Sequence, residues 1–523
     1  MISFDLTKNQ FTEIVRQSGN YPAIVQLMAA VDTASSPLQL YSQLQDHEYS
    51  YLLESVEKEK RHARFSFVGS DPDLVISIKE RQVTASHSTG SPLAMHITSK
   101  MKSVCIPSDD IDKKCKIRDG MDVLDALGTI FPGPEDTNFL NFQRFDRQTF
   151  LGGAIGYNGY DIVYDCWLDR KRKYDSGIPD MQFAFTGKTF LFDHLENRTY
   201  IVLTPLVTEK SNPEHVYDQA LSDAADMYRL LKEAEQSVQT EQGMPALSST
   251  LSCNMGSDEF RQSVTMAKEH IIEGDIFQVV LSRKYIFDFD EKPFKLYNAL
   301  RNINPSPYMY LLNFRDLSIV GASPETLLTV HNRKVITNPI AGTCSRGQNE
   351  SEDDKYASHM LNDEKERAEH VMLVDLGRND VRMVSKGGTV KVEDLMSVVK
   401  YSHVQHIEST VTGILRDECN QFDATRAIFP AGTLSGAPKI RAMEIIDDLE
   451  KSARGVYGGG AGYYTWNGDA DFAIVIRTVV INNGTASIQA GAGIVADSDP
   501  EYEYRETERK MAAMIRSIGA GAQ

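Results

Sequence analysis

The segment Asp363-Glu-Lys-Glu-Arg-Ala-Glu-His-Val-Met-Leu-Val-Asp-Leu-Gly-Arg-Asn-Asp380 decides how the chain is read. Val371, Met372 and Leu376 recur at helical spacing and Ala368 joins their stripe, which predicts a helix with Glu366 and Glu369, three apart, on an adjoining face. The last predicted helix repeats the device. After Ser498-Asp499-Pro500, a cap followed by proline at the first helical position, come Glu503 and Glu506. Two such pairs, if they converge, offer oxygen ligands to one hard cation: Mg²⁺ binds through few carboxylates while waters and substrate oxygens complete its octahedron. Spacing alone favours two solvated helix faces, and only the neighbouring motifs separate the two readings.

The bulk properties are those of a globular chain. Its 523 residues suffice for two to four ordinary domains or one large one, and 41% hydrophobic content supports a sizeable core. A formal charge of −18 argues against non-specific attraction to nucleic acid or anionic lipid, so an anionic substrate needs a locally positive pocket. The N-terminus lacks a charged-then-apolar signal pattern and no stretch approaches the ~20 apolar residues of a membrane span, so a cytoplasmic protein is expected. The cysteines at 105, 115, 166, 253, 344 and 419 show no Cys-x-x-Cys pair and no metal spacing, as suits a reducing compartment. None lies in a Gly-x-Cys-x-Gly turn, so the chain shows no thiol nucleophile of its own.

Along the chain, residues 1–236 read as an N-terminal domain, 237–256 as a Ser/Gln/Thr-rich linker and 257–523 as a second domain. The first has helices at 10–17, 37–44 and 214–236, strands at 49–54, 64–69 and 74–78, an irregular surface excursion over 87–116, and a hairpin formed by 183–193 and 200–205. The glycine-dense run 150–161 favours close backbone packing over a ligand loop. In the second, helices at 257–273 and 294–302 flank a strand at 277–287. Strands at 317–322, 326–331 and 333–338 then make a meander, and 348–354 forms an acidic mobile loop. Strands are also expected at 389–392 and 402–411. The loop Ala431-Gly-Thr-Leu-Ser-Gly-Ala-Pro-Lys439 feeds a helix at 440–449 as an anion-receiving helix start would. A hairpin turning at Asn483-Gly484 joins 473–481 to 485–490 and sets Arg477 beside the bare backbone of Gly491-Ala-Gly493, either for a substrate or paired to an acid such as Asp471. Neither glycine cluster has the Gly-x-Gly-x-x-Gly form of a dinucleotide fold.

Gly321-Ala-Ser-Pro-Glu325, Pro339-Ile-Ala-Gly-Thr343, Lys365-Glu-Arg-Ala-Glu-His370, Gly432-Thr-Leu-Ser-Gly-Ala-Pro-Lys439 and Gln489-Ala-Gly-Ala-Gly493, in this order, resemble the motifs of the chorismate-utilising enzymes, and among them the anthranilate-forming synthase components. The resemblance implies an α+β fold of orthogonally packed antiparallel sheets flanked by helices, with both halves of the chain folding together and 257–523 binding chorismate. It implies that Glu369 and Glu506 contact Mg²⁺ while Glu366 and Glu503 assist through water. Arg477, Tyr457 and the amides of Gly491, Ala492 and Gly493 would receive the enolpyruvyl carboxylate, with Gly342, Thr343 and Thr433 lining the pocket. Hydroxide is a poor leaving group, so ammonia addition needs a general acid, for which the motif offers Glu325; His406 matches the histidine that removes the ring proton as pyruvate leaves.

Two positions discriminate within the resemblance. Ala341 stands where aminodeoxychorismate-forming members typically carry a nucleophilic lysine, and Gln278 where isochorismate and salicylate synthases carry a lysine that activates water. Both point to anthranilate; the alternatives are an aminodeoxychorismate synthase component or a tryptophan- or chorismate-binding regulator without turnover. Leu52-Leu-Glu54-Ser55 resembles the family's feedback element, which with Pro307, Tyr308 and Met309 would hold tryptophan. Cys344-Ser345 departs from the usual Arg-Pro. Without a thiol elbow, use of glutamine implies a separate glutamine amidotransferase subunit, in a heterotetramer.

Overall fold

The computed structural model describes residues 2–56, 64–88, 90–106, 114–142, 145–237, 243–247, 250–400 and 404–520. Two large antiparallel sheets dominate. The first runs, in spatial order, through Ser252–Cys253, Gln278–Asp288, Thr485–Ile494, Thr478–Asn482, Leu317–Ser323, Tyr308–Phe314, Tyr49–Glu54, Phe65–Ser70, Lys188–Asp193, Arg198–Leu203 and Leu27–Val31. The second runs through Lys391–Val392, Val411–Ile414, Lys334–Thr337, Thr326–His331, Ala470–Ile474, Gly460–Thr465, Gly153–Asn158, Met181–Thr186, Leu74–Lys79, Gln82–His87 and Lys114–Lys116. In each, strands from before and after residues 237–256 are hydrogen-bonded neighbours: Met309 pairs with Glu54, and Gly462 with Gly156. Of that predicted linker, 238–242 and 248–249 lie outside the described residues, as do 401–403 of the strand predicted at 402–411.

Period-two alternation explains the layers. In Tyr308–Phe314, Met309 and Leu311 face the helices Lys8–Ser18, Pro37–Leu44, Pro213–Gln236, Pro293–Ile303 and Pro500–Ser517, whereas Tyr310, Leu312 and Phe314 face the other sheet. Between the sheets lie Phe67, Phe150, Tyr157, Ile319 and Tyr463, and beyond the second sheet a further core packs Pro92–Val104, Val123–Ile130 and Gln421–Ile428. Each large apolar side chain so buried contributes about 1.5–3 kcal/mol. The α+β expectation of antiparallel sheets flanked by helices holds. Among the described residues no helix is long and apolar enough to cross a membrane.

Several local expectations fail for identifiable reasons. The supposed excursion 87–116 holds the helix Pro92–Val104, whose Leu93, Ala94, Ile97, Met101 and Val104 are buried; polar residues on its outer face masked the stripe. Cys105 and Cys115 at its end form a disulfide that their spacing did not signal. The acidic loop 348–354 is the start of the helix Glu350–Asn362, with Asn349 as its cap. On Glu364–Arg382 the buried face is His370, Leu373, Val374, Gly377 and Val381, while Val371 is 46% exposed, so the predicted stripe is rotated by roughly half a turn. The strand expected over 183–193 is two strands in different sheets, Met181–Thr186 and Lys188–Asp193; only the latter forms the hairpin with Arg198–Leu203. The meander is also divided between sheets after Ser323, and the strand 473–481 is divided after Ile474.

The glycine-dense run 150–161 serves packing. Gly156 and Gly462 face each other across the central strands of the second sheet, where a Cβ would collide with the carbonyl of Gln182 at Gly156 and of Asp471 at Gly462. Gly156→Ala and Gly462→Ala should each destabilise the protein by about 1–3 kcal/mol or more, read as a lower urea midpoint. An unchanged midpoint in both would show that the strands do not approach this closely.

Candidate active site

Glu325 and Arg477 stand where the chain passes from one sheet to the other. Glu325 lies between Leu317–Ser323 and Thr326–His331, Arg477 between Ala470–Ile474 and Thr478–Asn482. The crossings are bonded to each other: Ile474 N–H donates to Glu325 O at 3.0 Å and Ala322 N–H to Arg477 O at 3.1 Å. Arg477 adopts φ +50°, a left-handed conformation uncommon outside glycine, and the strand Thr478–Asn482 begins directly after it. Asn482 pairs with Thr485 across the expected Asn483-Gly484 turn, but Arg477 falls outside the ladder. Asp471 is engaged by Gln148, Tyr308 and Thr329.

The Glu325 carboxyl is buried and receives the Thr433 hydroxyl at 2.9 Å. Burial pushes it up to about 7, against the Thr433 hydrogen bond and the cations Arg477 and Lys510, while Glu408 pushes the same way as burial. Thr433 belongs to the single turn Gly432–Leu434, where a Cβ at Gly432 would strike Leu376 of the helix Glu364–Arg382. Glycine thus lets the loop lie against that helix.

His406 projects from Val404–Glu408, paired with Ile340–Ser345. Its Nδ1 lies 2.8 Å from Gly342 O and 3.1 Å from Thr343 Oγ1. A carbonyl only accepts, so Nδ1 carries the proton and Nε2 the lone pair. Burial pulls the imidazole down to about 4, despite the Gly342 carbonyl, so it is neutral near pH 7. Cys344 and Ser345 continue this strand, opposite Gln405 and Val404, and the arginine that follows, Arg346, is ion-paired to Asp353 at 2.7 Å.

Gly491, Ala492 and Gly493 pair with Ser282, Leu281 and Val280. Tyr457 is buried against them and receives a backbone hydrogen bond from Gly491, and burial raises its phenol. Gln278 begins the strand Gln278–Asp288; its Nε2 donates to Glu369 Oε1 at 3.3 Å, and its Oε1 is buried without a partner among the described residues.

The four glutamates are brought into one region by the helices Glu364–Arg382 and Pro500–Ser517, which Asp363 and Asp499 cap. Burial, then Glu369 and Asp363, raise Glu366; burial, with Glu506 acting the same way, raises Glu503 against a bond from Ser498. A Cβ at Gly342 would lie 3.2 Å from Glu366 Oε2, which ties the acidic group to the loop carrying Thr343. No three of these carboxylates draw within 4.8 Å; among the described residues only His270, Glu273 and Asp275 do so. Lys510 holds Glu506 at 2.6 Å and donates to Gly491 O at 3.0 Å. The sequence reading passed over Lys510 and Glu408. Lys510 was recoverable from its four-residue spacing to Glu506 on one helix face, whereas Glu408 had no local signal.

The second candidate region is assembled by strand pairing. Met309 sits opposite Glu54, Val56 N–H donates to Ser306 O at 3.1 Å, and Pro307 and Met309 are buried. Ser55 Oγ is buried without a partner among the described residues. Glu54 accepts from Tyr297 at 2.6 Å and from Arg301 at 3.0 Å, and the Tyr308 hydroxyl lies 2.9 Å from Thr326 Oγ1.

Residues 108–516 match the model of a family described as chorismate binding enzyme. The chain is 44% identical to anthranilate synthase component 1 of Haloferax volcanii, over 99% of this chain and 98% of that one. It is 39% identical to the component 1 of Acetivibrio thermocellus, over 97% of each. Among solved structures it is similar to anthranilate synthase component I from Streptococcus pneumoniae TIGR4, with a TM-score of 0.67 and 34% identity over 86% of this chain and 92% of that one. The likeness to the menaquinone-specific isochorismate synthase MenF of Escherichia coli, with a TM-score of 0.65 at 17% identity over 98% and 99% of the two chains, is one of fold. With its motifs, its buried acid and its whole-length relatives in agreement, the chain belongs to the chorismate binding enzyme family.

Proposed function

We propose that the chain converts chorismate and ammonia to anthranilate and pyruvate with Mg²⁺, takes ammonia from a separate glutamine amidotransferase subunit, and is held back by tryptophan. The observation that carries the reading is Glu325, a buried carboxyl held near neutrality and bonded to Thr433 of the Gly-Thr-Leu-Ser-Gly loop. Such a group is still protonated in about half of the molecules at neutral pH and can give its proton to a departing hydroxide as the carbon–oxygen bond breaks and ammonia bonds to the ring. His406, neutral with Nδ1–H held by Gly342, offers Nε2 as the base that takes the ring proton while the enolpyruvyl group leaves as pyruvate. Arg477, Tyr457 and the amides of residues 491–493 are suited to the enolpyruvyl carboxylate, the guanidinium as a planar fork and the glycines by close backbone approach. Ala341 supplies no amine to attack the ring, and the amide of Gln278 is too weak a base to activate water, which favours ammonia.

The donor set fits a hard divalent cation: four carboxylates without sulfur or imidazole, two of them raised by burial and then by like charge, beside the orphaned oxygen of Gln278. Glu369 and Glu506 would hold Mg²⁺ directly and Glu366 and Glu503 through water, in place of the Gln278 and Lys510 contacts. When bound, the ion would supply positive charge to the ring carboxylate. The "component 1" of the relatives' names supports a partner component. The orphaned Ser55 hydroxyl beside Pro307 and Met309 supports a ligand between the two strands.

The reading is tested by incubating the purified chain with chorismate, Mg²⁺ and excess ammonium. Anthranilate and pyruvate should form, be lost with EDTA, and be suppressed by tryptophan. Aminodeoxychorismate, or no turnover, would replace this reading with the sister enzyme or a binding protein. Ser55→Phe, filling the proposed pocket, should keep turnover and lose at least about tenfold in tryptophan sensitivity.

Glu325 also makes a stability prediction. Its folded value, about 7, lies above the ordinary 4.5, so its contribution is intact below pH 4.5 and is lost as pH rises through 7. Glu325→Gln should therefore abolish turnover and gain stability relative to the parent between pH 5 and pH 8, by about 3 kcal/mol in urea unfolding. A gap that does not change with pH would mean Glu325 titrates normally.

A further inference from the structure

One buried ion pair lies behind three parts of this site, the Thr433 loop, the Gln278 strand and Tyr457. Arg454 is 4% and Glu450 6% exposed, four residues apart in the segment that follows the helix Lys439–Leu449. The guanidinium forks onto the carboxylate, Nε at 3.0 Å and Nη2 at 2.6 Å, and its remaining donors reach two backbone carbonyls, Leu434 at 2.6 Å and Val280 at 2.7 Å. Leu434 follows Thr433, whose hydroxyl holds Glu325, and Val280 is two residues past Gln278, whose amide reaches Glu369. The plane of Arg454 lies over Tyr160 at 4.5 Å and Tyr457 at 5.7 Å, and Arg454 O accepts from Tyr457 N–H at 3.3 Å. Glu450 Oε1 takes both the N–H and the hydroxyl of Ser282, which in turn receives Gln489 of the strand Thr485–Ile494.

Helix packing alone does not call for this arrangement. The same volume filled with apolar side chains costs less than two desolvated charges, and buried ion pairs are often replaceable without loss of stability. What a planar fork adds is fixed direction to several acceptors at once, which an ammonium on a flexible stem does not reproduce.

We propose that the Arg454–Glu450 pair is a positioning element for the reaction: it touches no substrate, and it sets the register of the Thr433 loop, the Gln278 strand and Tyr457 relative to one another, so that acid, amide and phenol meet one bound molecule. The proposal rests on the roles given above to Glu325, Gln278 and Tyr457.

The test uses the full chain in the ammonium assay, with wild type alongside. Arg454→Lys keeps the charge and loses the fork. Arg454→Met combined with Glu450→Gln removes both charges and leaves an amide oxygen for Ser282, so it should fold even if the lysine variant does not. Both are compared with wild type for thermal midpoint, for kcat and KM of chorismate, and for the alkaline limb of kcat. The expected result is a folded double variant whose kcat falls about 100-fold, more than its KM rises. Its alkaline limb should also move to higher pH, because a Thr433 that no longer holds Glu325 ceases to favour the carboxylate. Wild-type kcat and an unshifted limb in either folded variant would overturn the proposal, as would a loss explained wholly by a smaller folded fraction. If wild type itself forms no anthranilate, the underlying reading fails, a result distinct from variants that match an active wild type.

Discussion

Two adjacent sheet crossings, tied by the Ile474 N–H to Glu325 carbonyl bond and the Ala322 N–H to Arg477 carbonyl bond, are the constraint on which the rest depends. A strand that stays in one sheet presents its side chains to one core or the other. At a crossing the ladder stops, the sheets diverge, and a side chain can enter the gap between them without displacing core. Glu325 and Arg477 occupy the two places where this happens side by side, because Gly321 pairs with Thr478 in one sheet and Thr326 with Ala473 in the other. A buried glutamate and a half-buried arginine are thereby held side by side by backbone hydrogen bonds that no side-chain substitution removes.

Electrostatics follows from this burial. An isolated carboxylate in such a gap is costly, and burial raises Glu325 towards its protonated form, with the Thr433 hydroxyl and the cations Arg477 and Lys510 as partial relief. The opposite choice is made a few residues away. The four glutamates sit in the first two turns of two capped helices, Glu366, Glu369 and Glu506 half-buried and Glu503 buried, where a cation would relieve the crowding of like charge. Lys510 touches both regimes, paired to Glu506 and bonded to Gly491 in the same pocket. With Arg477 it provides the local positive charge that a chain of net charge −18 needs if it is to receive an anion.

What was legible in the sequence were features with short-range causes. The cap at Asp499, proline at 500 and the Asn483-Gly484 turn each fix their element by chemistry within a few residues, and the structure keeps all of them. The motif residues that converge were legible only through resemblance, since no spacing connects Glu325 to Thr433 or Ser55 to Pro307. The crossings were not legible at all. The sequence separates strands 317–322 and 326–331 at Ser323-Pro324-Glu325 but carries no sign that they join different sheets, and 473–481 is apolar almost throughout; the change of sheet at 324–325 and 475–477 is imposed by which partner strand is available. The helix Glu364–Arg382 shows the remaining kind of error. Its buried face includes His370 and Gly377, residues that an apolar count leaves out, and the stripe read from Val371, Met372 and Leu376 was displaced accordingly.

The crossings also shorten the path from the first half of the chain to the chemistry. Tyr49–Glu54 is hydrogen-bonded to Tyr308–Phe314, and that strand to Leu317–Ser323, which leads directly into Glu325. The Tyr308 hydroxyl leaves its own sheet to reach Thr326 and Asp471, one on each strand that emerges from a crossing in the other sheet. A ligand seated beside Ser55 and Met309 that favoured a shifted Tyr308 would bear on both crossings through hydrogen bonds of about 3 Å, with no separate moving part. Coupling of that kind is reciprocal: if substrate and such a ligand favour different arrangements of the crossings, each must disfavour the other by the same free energy.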